Sequence, residues 1–184
     1  MMTHRAVIDT CVLLPITLCD TLLRLAYRDV FAPQWTDHIL AELERNLGPV
    51  AHLDQDAVAR RVGTMRRAFP LAMVTGYEPL IDQMRNDPRD RHVAAAAVHS
   101  ESKQIVTANL KDFPDHALAP YGIAAVHPDD FLLSLLESRP GEVIAAIRHQ
   151  AQSYRKPPMS VPDLLGKLKQ FVPAFVDDLS ALTS

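Results

Sequence analysis

The sequence predicts an α/β fold with a mostly parallel sheet, because short apolar runs alternate with helical patterns over residues 1–137. From residue 138 onward the strand-like runs stop and only helical patterns follow. The composition, 48% hydrophobic and 22% charged, is typical of a globular protein. A chain of 184 residues can bury one sizeable core. We therefore expect a main domain at 1–137 and a helical extension at 138–184.

Five apolar runs are predicted as strands. Ala6, Val7 and Ile8 are flanked by polar residues, as expected of a central strand that is covered on both faces. The other four predicted strands are residues 30–32, closed by Pro33, and residues 71–75, 104–107 and 123–126.

Helical periodicity predicts the segments between these strands. The predicted helices are residues 13–27, 36–47, 54–69, an alanine-rich helix opened by Asp87 and Pro88, residues 128–136, 142–154 and 161–171. Thr36 is expected to cap the second helix, and Gly48-Pro49 to end it. In the extension, an apolar stripe either packs on the main domain or binds a partner; it comprises Leu164, Leu165, Leu168, Phe171 and Val172.

Charge, hydropathy and cysteine content restrict the class of protein. No apolar run approaches the roughly 18 residues of a membrane span, and a strand pattern begins within the first few residues, so we expect a cytoplasmic protein without a signal peptide. Cys11 and Cys19 would lie about 12 Å apart on a helix, too far for a disulfide, so reduced thiols are expected. A net charge of −3 argues against a general polyanion binder but allows local basic patches.

Four acidic residues lie just after predicted strands or in the first two turns of predicted helices: Asp9, Glu42, Asp90 and Asp112. Asp9 directly follows the first strand, and Asp112 lies in the loop after the fourth. The carboxyl edge of a parallel sheet is where ligands bind. Ionised carboxylates packed together there need a hard divalent cation. This pattern predicts metal-dependent phosphodiester chemistry.

Each acidic residue also has a structural explanation. Asp9 could simply cap the next helix, and capping alone also explains Asp87 and Asp90, although a helix N-terminus favours an ionised carboxylate there. Glu42 and Glu44 flank the apolar face of their helix on opposite sides, so periodicity does not choose between them.

Other polar residues could support such a site. Thr107 could donate to a carboxylate, and Asn109 could orient a metal-bound water. Two groups of basic residues could bind RNA or could be solvated surface: Arg60, Arg61, Arg66 and Arg67 on one helix, and Arg85, Arg89, Arg91 and His92 around Asp90. The histidines include no pair spaced i, i+4 and no box with cysteine, which argues against a zinc site. No glycine-rich phosphate loop is present either.

Five segments, in order and at their spacing, resemble the PIN-domain ribonucleases, most closely the VapC-like toxins of bacterial toxin–antitoxin pairs. The likeness covers roughly residues 4 to 137. The segments are Val7-Ile8-Asp9-Thr10, Ile39-Leu40-Ala41-Glu42-Leu43, Asp87-Pro88-Arg89-Asp90-Arg91-His92-Val93-Ala94-Ala95-Ala96, Ile105-Val106-Thr107-Ala108-Asn109-Leu110-Lys111-Asp112-Phe113, and Gly122-Ile123 to Pro128-Asp129-Asp130-Phe131-Leu132.

The resemblance implies a three-layer α/β/α sandwich around a central parallel sheet, with a site for Mg²⁺ or Mn²⁺. Asp9, Glu42, Asp90 and Asp112 match the acidic catalytic positions of the family, which favours Glu42 over Glu44. Of these, Asp9, Asp90 and Asp112 are the expected metal ligands. The resemblance also implies an endoribonuclease that is the toxin of a pair, with a cognate antitoxin as partner; such toxins often form homodimers.

Two departures and two rival functions accompany this hypothesis. Cys11 stands where many relatives have Asn or Ser, and Asn109 where some relatives have an acid. An aspartyl-phosphate phosphotransferase would also place an Asp after the first strand, but it commonly needs a second acid where Cys11 stands. A non-enzymatic binding module, with the acids as caps and surface charge, is the other alternative.

Overall fold

A computed structural model of the chain describes residues 4–183; residues 1–3 and 184, which the predicted domain ranges include, lie outside the described part. The strands are β1 (Arg5–Ile8), β2 (Ala32–Gln34), β3 (Gln104–Val106) and β4 (Ala124–Val126). The helices are α1 (Thr10–Leu13), α2 (Ile16–Tyr27), α3 (Asp37–Ala51), α4 (Gln55–Ala68), α5 (Arg91–His99), α6 (Asp115–Leu118), α7 (Pro128–Ser138), α8 (Pro140–Ser153), α9 (Val161–Leu168) and α10 (Pro173–Thr183). Short 3₁₀ turns span Pro70–Ala72, Glu78–Gln83, Leu110–Asp112 and Ala119–Tyr121.

The strands form one parallel sheet in the order β2-β1-β3-β4. Helices flank it in the three-layer arrangement, so the predicted fold class is confirmed. Ile8 pairs with Val106, and Val106 pairs with Val126, so the residues that follow these strands leave the sheet at one level. From β1 the chain crosses to β2 on one side and later reaches β3 on the other. This change of direction opens a crevice at the carboxyl ends of β1 and β3.

The sheet has four strands, and the predicted strand at residues 71–75 is wrong. Pro70 starts a 3₁₀ turn there, because its fixed φ and missing N–H suit a turn better than a ladder. Leu71 is 92% exposed. Only one parallel bridge remains, between Met73 and Trp35.

The second strand is shifted by two residues and includes Pro33, which had been expected to close it. Proline is tolerated here because β2 lies at the edge of the sheet and pairs there only with β1.

Several helix boundaries also differ from the prediction. The helix predicted over 13–27 begins only at Ile16, because Pro15, at the cap position of α2, separates it from the short α1. Thr36 caps α3 as predicted, but α3 continues through Gly48-Pro49 and ends at His52 in the left-handed conformation.

Another difference concerns α5, which begins at Arg91 rather than at Pro88. A turn precedes it, closed by the Asp90 N–H donating to the Asp87 carbonyl (3.0 Å). Asp90 occupies the cap position of α5 but makes no side-chain capping bond, so its carboxylate remains available to the crevice.

The C-terminal helices pack into the same hydrophobic core as the main domain. Leu164, Leu168 and Val172 of the apolar stripe are fully buried in it, so the stripe is a packing surface. Gln150 on α8 is also fully buried: Thr21 Oγ1 on α2 donates to Gln150 Oε1 (2.7 Å), and Gln150 Nε2 donates to the Thr17 carbonyl (3.0 Å). This polar contact joins α8 to α2.

Helix α10, which the sequence patterns did not predict, is held at its start by a residue of α7. The carboxylate of Asp129 accepts hydrogen bonds from the backbone N–H groups of Ala174 (3.0 Å) and Phe175 (2.8 Å). A carboxylate at a helix N-terminus is favourable because it pairs with otherwise unsatisfied N–H groups. Among residues 4–183, no helix combines the length and the apolar character needed to cross a membrane.

Candidate active site

Asp9 lies at the carboxyl end of β1 and is 4% exposed. Its backbone N–H donates to the Val106 carbonyl (3.0 Å), which continues the pairing of β1 with β3. Its Oδ1 accepts from the Thr10 N–H (2.7 Å), and its Oδ2 accepts from Thr107 Oγ1 (2.7 Å). Asp9 therefore caps α1, and its fixed carboxylate also lies at the crevice where the metal site is predicted.

The Cys11 thiol is part of the same hydrogen-bond network. Its Sγ donates to Asp9 Oδ2 (3.1 Å) and accepts from the Ala108 N–H (3.3 Å). Burial, followed by the negative charge of Asp9, raises the pKa of Cys11 to about 12. The thiol therefore stays protonated and takes the donor role that a hydroxyl or amide would have.

Thr10 links Asp9 to Glu42. While its N–H binds Asp9, its Oγ1 donates to Glu42 Oε2 (2.9 Å). The Glu42 side chain is 23% exposed, whereas Glu44 points to solvent. Burial is the largest single influence on Glu42 and raises its pKa, but the neighbouring His92 and the Thr10 hydrogen bond outweigh it, so the pKa of Glu42 is lowered.

The pKa of Asp90 indicates that other carboxylates lie close to it. Burial, followed by the negative charges of Asp9, Asp112 and Asp87, raises the pKa of Asp90 to about 6. The backbone supports this proximity, because the Asp87 N–H donates to the Asp112 carbonyl (3.1 Å) and joins the two loops. Asp9, Asp112 and Asp87 therefore act on Asp90 as neighbouring like charges.

The carboxylates approach one another without converging on a single point. Among the described residues, no three carboxylate groups have oxygens within 4.8 Å of one another. A hard cation such as Mg²⁺ keeps several waters, so partly water-mediated ligation suits this spacing. Burial, followed by the like charges of Asp9, Asp112 and Asp87, raises the pKa of Asp90, and a divalent cation would offset those like charges, so the residues fit such an ion.

The predicted supporting residues Thr107, Asn109 and Asp87 differ in burial and in the groups they bind. Thr107 is buried and holds Asp9, while Asn109 is exposed and its N–H donates to Thr107 Oγ1 (3.0 Å). Asp87 accepts from the Arg89 N–H (3.0 Å) and so stabilises the turn before α5. Asn86 was not predicted; it is buried, and both its amide atoms lack a hydrogen-bond partner.

The predicted basic residues form two separate groups. Arg85 and Arg89 are exposed next to Asp87, and Arg89 pairs with it (3.2 Å) although 84% of its side chain is exposed. Arg60 and Arg61 line a different groove of about 820 Å³ between α2, α4 and α8, which none of the predicted carboxylates lines. Arg91, at the start of α5, is partly buried, and its Nε has no hydrogen-bond partner.

The sequence patterns missed a histidine cluster beside Glu42. His38 of α3 stacks on His92 of α5, with ring centroids 3.7 Å apart and planes 16° apart. Burial, followed by His92, lowers the pKa of His38. The i, i+4 spacing of His38 and Glu42 was the available signal, but only folding adds His92 from another helix.

The comparisons with known proteins agree with this geometry. A family model described as "PIN domain" matches residues 5–111, and one described as "VapC50 C-terminal domain" matches residues 128–181. The chain is 47% identical over 104 residues to "Putative ribonuclease VapC50" of Mycobacterium tuberculosis. That alignment covers 56% of this chain and 62% of the relative, so the chain spans less than two thirds of that protein. No solved structure matches.

Proposed function

This chain belongs to the PIN-domain family, and from that premise we propose that it is a metal-dependent endoribonuclease. The single observation that carries the proposal is the position of Asp9, which is buried and held by Thr10 and Thr107 at the carboxyl edge of the sheet, close enough to Asp90 for its charge to help raise the pKa of that group. Perturbed carboxylates of this kind, in a crevice at the carboxyl edge of a parallel sheet, are typical of functional sites. The ribonuclease name of the similar protein supports the same reaction class.

Asp9, Asp90 and Asp112 would hold Mg²⁺ or Mn²⁺ in this proposal. Such an ion, when bound, lowers the pKa of a bound water and neutralises charge that develops on the phosphate. Without a cation, the ionised carboxylates would repel RNA, so substrate binding as well as cleavage would depend on it.

The residues of the chain would fix the geometry of this site. Thr107 and Thr10 hold Asp9 by hydrogen bonds, and Thr10 also holds Glu42. Fixed carboxylates need little reorganisation during the reaction, which is the main source of electrostatic catalysis.

Basic residues would bind the RNA phosphates. Arg85, Arg89 and Arg91 surround the start of α5 and would contact nucleotides next to the site. Arg60 and Arg61 would contact only an RNA long enough to reach their separate groove.

The test is cleavage of a defined RNA pool with Mg²⁺, with Mn²⁺ or with chelator, using the wild type and Asp9→Asn. Asparagine keeps the shape but removes the charge, so we expect cleavage to fall by about 100-fold or more. Asp130→Asn, an exposed acid on α7, is the matched control and is expected to cleave normally. Cleavage by Asp9→Asn at the wild-type rate, or in the presence of chelator, would contradict the proposal.

We further propose that the chain is the toxin of a toxin–antitoxin pair, on the likeness to VapC proteins. Its expression should then arrest bacterial growth, and co-expression of a small protein encoded immediately upstream should restore growth and co-purify with it. Normal growth on expression of the active protein would argue against this role. Light scattering on the purified chain would show whether it forms the homodimer that the resemblance implies.

A further inference from the structure

Two histidines, His38 and His92, face the carboxylate oxygen of Glu42 that does not accept from Thr10. His38 and Glu42 lie one turn apart on α3, and His92 is the second residue of α5. Glu42 Oε1 is 3.6 Å from His92 Nε2 and 3.8 Å from His38 Nε2. The ligand atoms of all three residues lie within 4.8 Å of one another.

His92 is the unusual member of this cluster. It is 3% exposed, and neither of its ring nitrogens has a hydrogen-bond partner. Buried polar groups are nearly always hydrogen-bonded, so a buried imidazole that makes an ion-pair contact with Glu42 but no hydrogen bond needs an explanation. Its Nε2 faces Glu42 from a distance too long for a hydrogen bond. Two ligands of one metal ion lie close to this distance apart.

The donor set distinguishes this cluster from the carboxylates around Asp90. Imidazole suits Zn²⁺ and similar ions, whereas Mg²⁺ prefers oxygen ligands. A tetrahedral zinc ion holds its nitrogen and oxygen ligands about 3.3–3.5 Å apart. The two distances exceed this by less than about half an ångström, and His38 is half exposed, so its ring can turn away from its stacking contact with His92 to reach the ion.

We infer that His38, Glu42 and His92 bind a borderline transition-metal ion, with Zn²⁺ the best fit and water as the fourth ligand. Because Glu42 binds Thr10 through Oε2 and faces the histidines through Oε1, this ion would be coupled to the Asp9 network through one carboxylate. The site does not require the proposed RNA cleavage, because its ligands bind the ion whether or not the chain is a nuclease.

The test is calorimetric titration of the whole chain with Zn²⁺ in excess Mg²⁺, which occupies the carboxylates but not the imidazoles. We expect one saturable zinc site in the wild type and binding at least about tenfold weaker in His38→Ala, because that variant loses one of three protein ligands. His116→Ala, which removes an exposed histidine of α6, is the matched control and should bind as the wild type does. Unchanged affinity in His38→Ala would overturn the inference, as would loss of zinc binding in Asp90→Asn but not in His38→Ala.

A second measurement avoids substituting the buried His92, whose variants could fail to fold. In long-range ¹H–¹⁵N spectra of the wild type, zinc should shift the Nε2 signals of His38 and His92. Shifts confined to other histidines would place zinc elsewhere and refute the site. The RNA-cleavage assay with Mg²⁺ is read independently, so failure of the nuclease proposal and failure of the zinc site are distinguishable.

Discussion

Replacing Asp90 with asparagine is expected to stabilise the metal-free protein at about pH 8 while removing its function. Burial and the charges of Asp9, Asp112 and Asp87 raise the pKa of Asp90 from its ordinary value of 3.8 to about 6. Between these values the folded protein keeps a proton that the unfolded chain releases. The free energy of unfolding of the wild type therefore falls as the pH rises through this window, and the full cost remains above it.

The shift in the pKa of Asp90 sets an upper limit to the increase in the free energy of unfolding that Asp90→Asn can give. A shift of this size corresponds to about 3 kcal/mol if no solvent screened the charges. Asp90 is partly exposed, and its carboxylate also interacts favourably with the start of α5, so we expect a net gain of about 1 kcal/mol. For a chain of this length that raises the melting temperature by about 2–4 °C.

The assay is thermal unfolding in chelator at about pH 8 and at about pH 4, with Asp130→Asn as the exposed control. The gain should be present at the higher pH and much smaller at about pH 4, where Asp90 is protonated in the folded state and, with an ordinary pKa of 3.8, protonated in roughly half of the unfolded molecules. Saturating Mn²⁺ should reverse the order, because the wild type binds it more tightly. A variant that is less stable than the wild type at pH 8 in chelator, or a gain that does not change with pH, would refute the reasoning.

Three further predictions concern other parts of the molecule. Asp129→Ala should lower the free energy of unfolding by about 3 kcal/mol in urea titrations, because two backbone N–H groups lose a charged acceptor; exposed Asp130→Ala should stay within about 0.5 kcal/mol of the wild type. Arg89→Ala should reduce the salt dependence of RNA binding, measured as the slope of log K against log salt, by about 1. Arg60→Ala should do so only for longer RNA. An unchanged slope in Arg89→Ala would contradict the predicted contact between Arg89 and an RNA phosphate. Cys11 should resist alkylation at about pH 8 until the protein is unfolded, because its pKa is about 12; mass spectrometry showing rapid labelling in the folded state would contradict this.

The central strands could be predicted because burial on both faces demands an apolar run. The same rule placed Asp9 at the carboxyl edge of the sheet, where the structure has it. It failed at residues 71–75, where an equally apolar run follows Pro70 and becomes a turn. Composition alone cannot separate these outcomes, because the difference lies in the backbone hydrogen bonds that Pro70 cannot make.

The parts of the site that depend on contacts between distant segments could not be predicted from local patterns. Periodicity treats Glu42 and Glu44 alike, and only the approach of Thr10 from α1 distinguishes them. His38 and His92 are far apart in the sequence, so no spacing rule joins them. The first N–H groups of α10 are bound by the carboxylate of Asp129, a residue of α7, so no local N-cap residue in the sequence before α10 could signal its start.

The contact between α8 and α2 restricts how this protein can associate with others. The face of α2 that carries Thr21 is occupied by the chain's own Gln150. Another molecule could reach that face only by displacing α8, which would break both hydrogen bonds between Gln150 and α2. Surfaces that are open in the folded chain, such as the neighbouring groove where Tyr27 is exposed, carry no such cost.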